Sequence, residues 1–262
     1  MNRLAVHQSL VHPLTPLEMI DELVASGWDS MGLHVGATPE TEAWWSGGAG
    51  TQLLAATIDR LLETRATVLD VGRVVLTGHL GRDDVHRGHG RVLDFGARLG
   101  AQFLTARFAD GVDDPAQRAE SFAELAEQAR PFRIRPLLSS VRADRSDLLE
   151  AAVAVVAPSG GGIVLDVPVL GADEETVSAA VTDLWEHLGY VRVDARALEG
   201  AGEAAAGQLA VVPPQVPVVI GGDDGLGLLD ADRRERLTRL RVLVDRMLEH
   251  PRARQARERA PG

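Results

Sequence analysis

The chain has 262 residues, 45% of them hydrophobic and 25% charged, and this length and composition fit one eight-stranded (β/α) barrel domain. Its formal net charge of −11 argues against nucleic-acid binding, no apolar run is long enough to span a bilayer, and the amino terminus lacks a signal-peptide core. The chain has no Cys, and all 27 Lys and Arg residues are Arg, which excludes thiolate nucleophiles, Cys-ligated zinc and lysine Schiff bases. We therefore expect a cytoplasmic protein that acts on a small-molecule substrate, without nucleic-acid or membrane partners, and leave a homodimer open.

Helical stripes and short β-branched runs alternate along nearly the whole chain. In residues 91–107, RVLDFGARLGAQFLTAR, a helical stripe ends at Gly100 and a strand begins at Phe103. Steps of the same kind predict eight strands, at residues 4–9, 30–34, 67–77, 103–106, 134–141, 160–170, 190–195 and 217–222.

The first predicted helix begins with a capping box, in which Thr15 is the N-cap, Pro16 takes the first helical position and Glu18 the third. Residues 198–208 are rich in Gly and Ala, so we expect the seventh helix to be reduced. The first helix covers residues 15–27. The remaining predicted helices cover residues 52–66, 91–99, 114–129, 142–156, 172–188 and 233–250. This order predicts a single (β/α)8 TIM barrel over residues 1–250 and a polar, Arg-rich tail over residues 251–262.

Two predicted loops carry notable side chains. The loop at 35–50 contains Trp44 and Trp45, which we interpret as capping an edge of the core, although aromatic residues also line small-molecule clefts. The loop at 78–90 contains His79, His86 and His89. Their spacing is not that of a recognised metal site, so we interpret this segment as a solvated loop and keep a substrate lid as the alternative.

Candidate site residues lie near the carboxyl ends of the predicted strands, where barrels of this kind carry their chemistry. Asp166 is a carboxylate inside an apolar strand, a costly position unless the group is paired or functional. His34 is in phase with Gly32, whose missing side chain would leave room for a ligand. The candidate set is His7, His34, Arg107, Ser139, Asp166, Arg192 and Asp194.

Four segments, taken in order, resemble one known family over residues 4–250. They are GW at 27–28, LDFGARLGAQFL at 93–104, LDV at 165–167 and YVRVDA at 190–195. In these features the chain resembles the sugar phosphate isomerase/epimerase family, the xylose-isomerase-like TIM barrels. The resemblance implies one divalent metal, held by carboxylates and a histidine on strands five to eight, and proton shifts beside a carbonyl or hydroxyl of a polyol substrate.

Most of the metal ligands that the resemblance implies are replaced in this chain. The strand-five Glu falls at Ser139 or Ser140, the histidine after strand six at Val169, and the strand-eight Glu at Gly221. Asp166 retains the strand-six acid, and Asp194 matches the acid of strand seven. Because a divalent ion needs several such ligands, we expect no metal cofactor at this position.

Three functions remain open from the sequence. The first is a metal-independent isomerase, epimerase or lyase, in which His7 or His34 carries the proton and Asp166 orients that histidine or takes a second proton. In this hypothesis Arg107 and Arg192 hold a carboxylate, phosphate or enolate oxygen, and Ser139 and Asp194 contact the substrate. The second is a barrel that binds a ligand or partner without catalysis. The third keeps a metal, with ligands from His7, His34 or the loop at 78–90.

Overall fold

The computed structural model describes residues 2–36, 39–77, 82–168, 172–201, 205–222 and 230–249. Eight parallel strands pair in sequence order, and the first also pairs with the last, which closes a barrel. This confirms the predicted single (β/α)8 fold. The strands are β1 (Leu4–His7), β2 (Ser30–His34), β3 (Thr67–Leu76), β4 (Phe103–Phe108), β5 (Arg135–Arg142), β6 (Gly162–Val167), β7 (Leu188–Asp194) and β8 (Val218–Gly221).

Helices connect the strands and form the outer layer. The capping box at Thr15 and Glu18 is present, and the Asp114 side chain caps a later helix by accepting the Ala116 N–H. The helices are α1 (Pro16–Ala25), α2 (Pro39–Trp44), α3 (Gly47–Thr64), α4 (Arg82–Arg98), α5 (Pro115–Ala129), α6 (Ser146–Val156), α7 (Glu174–Asp183), α8 (Ala195–Ala201), α9 (Ala206–Ala210) and α10 (Asp230–Glu249).

The connection between β7 and β8 departs from the usual single helix. It contains α8 and α9, which have 7 and 5 residues, so the seventh helix is reduced as predicted. None of the helices in the described residues combines the length and the apolar composition that a bilayer crossing requires.

The barrel interior is filled by one layer of side chains, so the barrel is a packed core and not a pore. Tyr190 is the largest fully buried member of this layer, and Phe103 packs against it from the side of β4. The cavity described below lies above this layer. The layer of core side chains consists of Ala5, Leu69, Leu137, Val164, Tyr190 and Val219.

Two predicted loops contain helical residues. Within 35–50, α2 and the first turn of α3 replace the loop, and Trp45 is buried against the core, as its proposed capping role requires. The proposed loop at 78–90 is wrong from residue 82 onward, because α4 begins there and buries His89. Packing of the later apolar stripe of α4 outweighs the low helix propensity of its glycines. His79 and the side chain of His86 lie outside the described residues.

Candidate functional site

A cavity of about 370 Å³ opens where the barrel strands end. Its walls include the last residues of six strands, so it occupies the carboxyl face of the barrel, where catalytic groups of such folds converge. The structure brings six of the seven sequence-predicted residues to this cavity. They are His7, His34, Ser139, Asp166, Arg192 and Asp194.

Asp166 and Arg192 form the strongest ion pair of the cavity. The strand register places them directly opposite each other, and the guanidinium Nε and Nη2 donate to the two carboxylate oxygens at 2.6 and 2.8 Å. Their side chains are only 23% and 25% exposed. Burial alone would lower the pKa of Arg192, but the Asp166 carboxylate outweighs it and raises that pKa above its ordinary value. Asp166 therefore holds a permanently charged arginine at the cavity wall.

His7 ends β1 at the edge of the cavity, with its ring almost buried. Its Nδ1 lies 2.9 Å from Ser9 Oγ and accepts the Ser9 backbone N–H at 3.3 Å, so the proton of the neutral ring is assigned to Nε2. Burial lowers the pKa of His7 well below its usual range, and the charges of His34, Arg192 and Arg73 add to this effect. His7 is therefore a neutral imidazole at pH 7.

His34 ends β2 and also lines the cavity. The centroid of its ring lies 4.7 Å from that of His7. Its backbone is held on both sides, because its N–H donates to Gln8 Oε1 at 2.8 Å and its carbonyl accepts from Trp45 Nε1 at 2.9 Å. The two histidines therefore form one imidazole pair on a rigid wall.

The expected ligand space beside Gly32 is not there, and that interpretation is wrong. A Cβ at Gly32 would lie 2.3 Å from Asp70 Oδ1 and 2.7 Å from His7 Cδ2. The missing side chain lets these two protein groups approach each other, instead of making room for a ligand.

The sequence analysis missed Asp70, a fully buried carboxyl group beneath His7. Its Oδ2 accepts the Tyr190 hydroxyl at 3.4 Å and lies 3.9 Å from His7 Nε2. Burial raises the pKa of Asp70 to about 7, against the opposing effects of Arg192 and Tyr190. The available signal was the one used for Asp166, namely an acid inside an apolar strand.

Arg73 was also missed, because it lies at an irregularity in β3. The pairing of β3 with β4 jumps from Gly72 to Val74 at an irregularity that contains Arg73, and the Arg73 side chain lines the cavity. Arg142, at the end of β5, lines the cavity as well and binds Asp144 through two hydrogen bonds. With Arg192, three guanidinium groups surround the cavity.

The remaining predicted residues differ in their positions. Ser139 Oγ donates to the Ala106 carbonyl at 3.0 Å, and Asp194 accepts the Ala197 N–H at 2.8 Å at the start of α8. Arg107 lies in β4, donates to the neighbouring Phe108 carbonyl and is not among the residues that line the cavity. Its predicted contact with substrate stays a prediction that this geometry does not favour.

The residues at the strand ends do not fit a divalent metal. Among the described residues no group of three His, Asp or Glu side chains could hold a metal ion, and both Asp166 oxygens bind Arg192. Gly221 offers no ligand, and a Cβ there would lie 3.4 Å from Arg192 Cδ, so the arginine side chain passes beside it. Val169 and the side chain of Ser140 lie outside the described residues.

Comparison with known proteins gives likeness at the level of structure. No family model matches the sequence, and no curated protein matches it. The zinc-bound IolI protein superposes with a TM-score of 0.66 at 13% identity, over 95% of this chain and 99% of that one. D-allulose 3-epimerase from Methylomonas sp. superposes with a TM-score of 0.68 at 17% identity, over 94% and 98%. A sugar phosphate isomerase/epimerase from Parabacteroides distasonis superposes with a TM-score of 0.62 at 10% identity, over 97% and 96%.

These likenesses and the closed barrel define the fold as that of the xylose isomerase-like TIM barrels. The resemblance seen in the sequence is therefore confirmed at the level of the fold. Identities of 10 to 17% do not carry a reaction from those proteins to this one.

Proposed function

We propose that this protein is a metal-independent proton-transfer enzyme, an isomerase, epimerase or lyase, that acts on a small polar carbonyl or hydroxy compound in the barrel-mouth cavity. One observation carries the proposal. His7 is a neutral imidazole at the cavity edge, held between Ser9 and Asp70 and facing a wall that contains Arg192. A neutral imidazole can accept a proton, which a charged one cannot.

Arg192 supplies the second requirement, which is charge stabilisation. Removal of a proton beside a carbonyl places negative charge on the carbonyl oxygen, and a fixed cation at that oxygen lowers the barrier. The pair with Asp166 uses two of the five N–H donors of Arg192, so others can donate to a substrate oxygen. In this mechanism the guanidinium takes the role that a metal ion plays in metal-dependent proton transfer.

The character of the substrate is inferred from the cavity wall. Arg73, Arg142 and Arg192 favour a compound with an anionic group, since guanidinium binds carboxylate and phosphate well. The structurally similar proteins are described as a D-allulose 3-epimerase and a sugar phosphate isomerase/epimerase, which favours a polyol or its phosphate. Sugar phosphates and hydroxy or keto acids are therefore the compounds to test.

A second candidate function is ligand binding without catalysis. It is favoured by the state of Asp166, whose two oxygens are both bound by Arg192 and do not face the cavity as free acceptors. If the barrel only binds an anion beside the Asp166–Arg192 ion pair, it needs no proton carrier.

Titration calorimetry with these compounds, followed by NMR analysis of the products in D2O, tests the proposal. We expect one class to bind and to incorporate deuterium at the carbon that loses its proton. His7→Gln should then lower turnover by roughly a hundredfold, the usual value of a general acid or base, and change affinity only a few-fold. His34→Gln tests whether the second imidazole shares this role. His187→Gln is the matched control, because His187 does not line the cavity.

Two results would contradict the proposal. Turnover that EDTA abolishes and a divalent ion restores would show that the enzyme depends on a metal. Binding without deuterium incorporation or product, unchanged in His7→Gln, would favour the non-catalytic barrel.

A further inference from the structure

The fully buried Asp70 lies between the cavity wall and the packed interior of the barrel. It is 0% exposed, and its Oδ2 lies 3.9 Å from Nε2 of His7, which lines the cavity. The Tyr190 hydroxyl donates to the same carboxyl oxygen, Oδ2. The other oxygen, Oδ1, has no hydrogen-bond partner among the described residues. A buried carboxyl group with so few donors is costly, and such groups are retained most often at functional sites.

Gly32 makes the close approach of this pair possible. Any Cβ there would overlap both Asp70 Oδ1 and the His7 ring, at 2.3 and 2.7 Å. The register of β1, β2 and β3 places these three residues side by side, because His7 pairs with Gly32 and Gly32 pairs with Asp70. The contact between the imidazole and the carboxyl group is therefore built into the sheet.

We propose that Asp70 is a positioning residue that acts through His7, and that it stores inside the barrel the proton that His7 takes up from the substrate by way of Ser9. The proposal rests on the proposed function, in which His7 carries the proton. It assigns to Asp70 a task that the cavity-lining residues do not perform.

The transfer balances in protons and charge. The substrate gives a proton to the Ser9 hydroxyl, which gives its own proton to His7 Nδ1, 2.9 Å away. When the 3.9 Å gap between His7 Nε2 and Asp70 Oδ2 shortens to hydrogen-bond distance, His7 passes the proton on Nε2 to the carboxylate, which becomes a carboxylic acid. The bonding electrons stay on the substrate, where Arg192 stabilises the oxygen. The imidazole ends neutral with its tautomer exchanged, and the reverse sequence returns the proton.

The charges around His7 and Asp70 favour the proton on the Asp70 carboxyl group over the proton on the His7 ring. His34 on β2, Arg73 on β3 and Arg192 on β7 all disfavour an imidazolium at His7, after burial itself. Burial holds the pKa of Asp70 at about 7, although Arg192 and Tyr190 act to lower it. Asp166 acts on His7 and Asp70 through its ion pair with Arg192. A proton taken up at neutral pH is therefore more stable on the carboxyl group than on the ring.

NMR titration of the substrate-free protein, with 13C-labelled Asp and 15N-labelled His, tests the coupling. We expect the carboxyl carbon of Asp70 to titrate near pH 7, about 3 pH units above an ordinary Asp, and the ring nitrogens of His7 to shift at the same midpoint. Asp70→Asn should remove the His7 step, and Tyr190→Phe should move it to higher pH because the hydroxyl that favours the carboxylate is gone. Asp113→Asn, at an exposed position, is the matched control and should leave the step unchanged.

Asp70 that titrates near pH 4, or a His7 step near pH 7 that persists in Asp70→Asn, would overturn the proposal. If Asp70→Asn fails to fold, the carboxyl titration of the wild-type protein and the shift in Tyr190→Phe decide the question.

A kinetic experiment separates this proposal from the proposed function. Once a substrate is found, the rise of kcat with pH through about 7 should disappear in Asp70→Asn, while KM changes less than about threefold. Turnover that keeps this pH limb in the variant overturns the role of Asp70 and leaves that of His7 intact. An Asp70 step without turnover on any compound overturns the proposed function and not the coupling.

Discussion

The tetrapeptide Val-Leu-Asp-Val occurs twice in this chain, at residues 68–71 in β3 and 164–167 in β6, with different outcomes. Asp166, in the second copy, is 23% exposed at the cavity and forms two hydrogen bonds with Arg192. Asp70, in the first copy, is fully buried and accepts a single hydroxyl. The same local sequence therefore produces an arginine-paired cavity group in one strand and a buried carboxyl group with a pKa of about 7 in the other.

Neighbouring strands account for the difference. Asp166 pairs in register with Arg142 on one side and Arg192 on the other, so cations flank it. Asp70 pairs with Gly32 and Phe103, which provide neither charge nor hydrogen bonds. The ionisation of a carboxyl group in a parallel barrel thus depends on residues far away in sequence.

The largest expected effect concerns the pH dependence of stability at Asp70. Its pKa is raised in the folded state, so the stabilisation it contributes is present below pH 3.8 and is lost as the pH rises through about 7. A shift of this size corresponds to at most about 4 kcal/mol. Asp70→Asn should therefore gain stability relative to the wild-type protein as the pH rises.

Thermal unfolding of both proteins at several values between pH 4.5 and 8 measures this difference. Both keep His7, so its opposing titration largely cancels and the carboxyl group is isolated. A constant difference in Tm across this range would mean that Asp70 does not titrate there, and the contrast between the two copies would fail.

The second effect concerns Asp166. Asp166→Ala leaves Arg192 three-quarters buried without its carboxylate, and we expect a loss of about 2 to 3 kcal/mol together with loss of ligand binding. The matched control is Asp147→Ala, which breaks an equally bidentate pair with Arg145 at an exposed position and should cost clearly less than Asp166→Ala. Equal losses in urea unfolding would show that the cavity pair is an ordinary surface ion pair.

These differences also show how far the sequence could predict the protein. Alternating helix and strand patterns depend on local residues, so the barrel and its reduced seventh helix could be predicted. Asp166 could be identified because it is an acid inside an apolar strand, a signal that is local to the sequence. The same signal is present at Asp70, but the sequence could not show that the pairing of β2 with β3 skips Leu69 and places Asp70 beside Gly32.

Arg73 escaped prediction for a similar reason, a second irregularity in the same strand. A bulge inserts one residue and reverses the faces of all that follow, and no feature of the local sequence announces it. Asp70 and Arg73, which the prediction missed, therefore both lie beside irregularities of β3.

The smallest expected effect tests whether Gly32 is what sets the first copy apart. Gly32→Ala places a methyl group 2.3 Å from Asp70 Oδ1, so the pair must move, at a cost of about 1 to 2 kcal/mol. Gly48→Ala is the control, because nothing lies within 4 Å of its Cβ position and the change should be neutral or slightly stabilising.

A double-mutant cycle assigns this cost to the contact with Asp70. In Asp70→Ala the carboxyl oxygens are absent, so adding Gly32→Ala should cost less than it does in the wild-type background, by about 1 kcal/mol. The remaining cost would come from the His7 ring, 2.7 Å away. Additive losses would mean that the alanine is accommodated by backbone movement and that Gly32 does not hold His7 and Asp70 together. In that case the contrast between the two copies would rest on their charged neighbours alone.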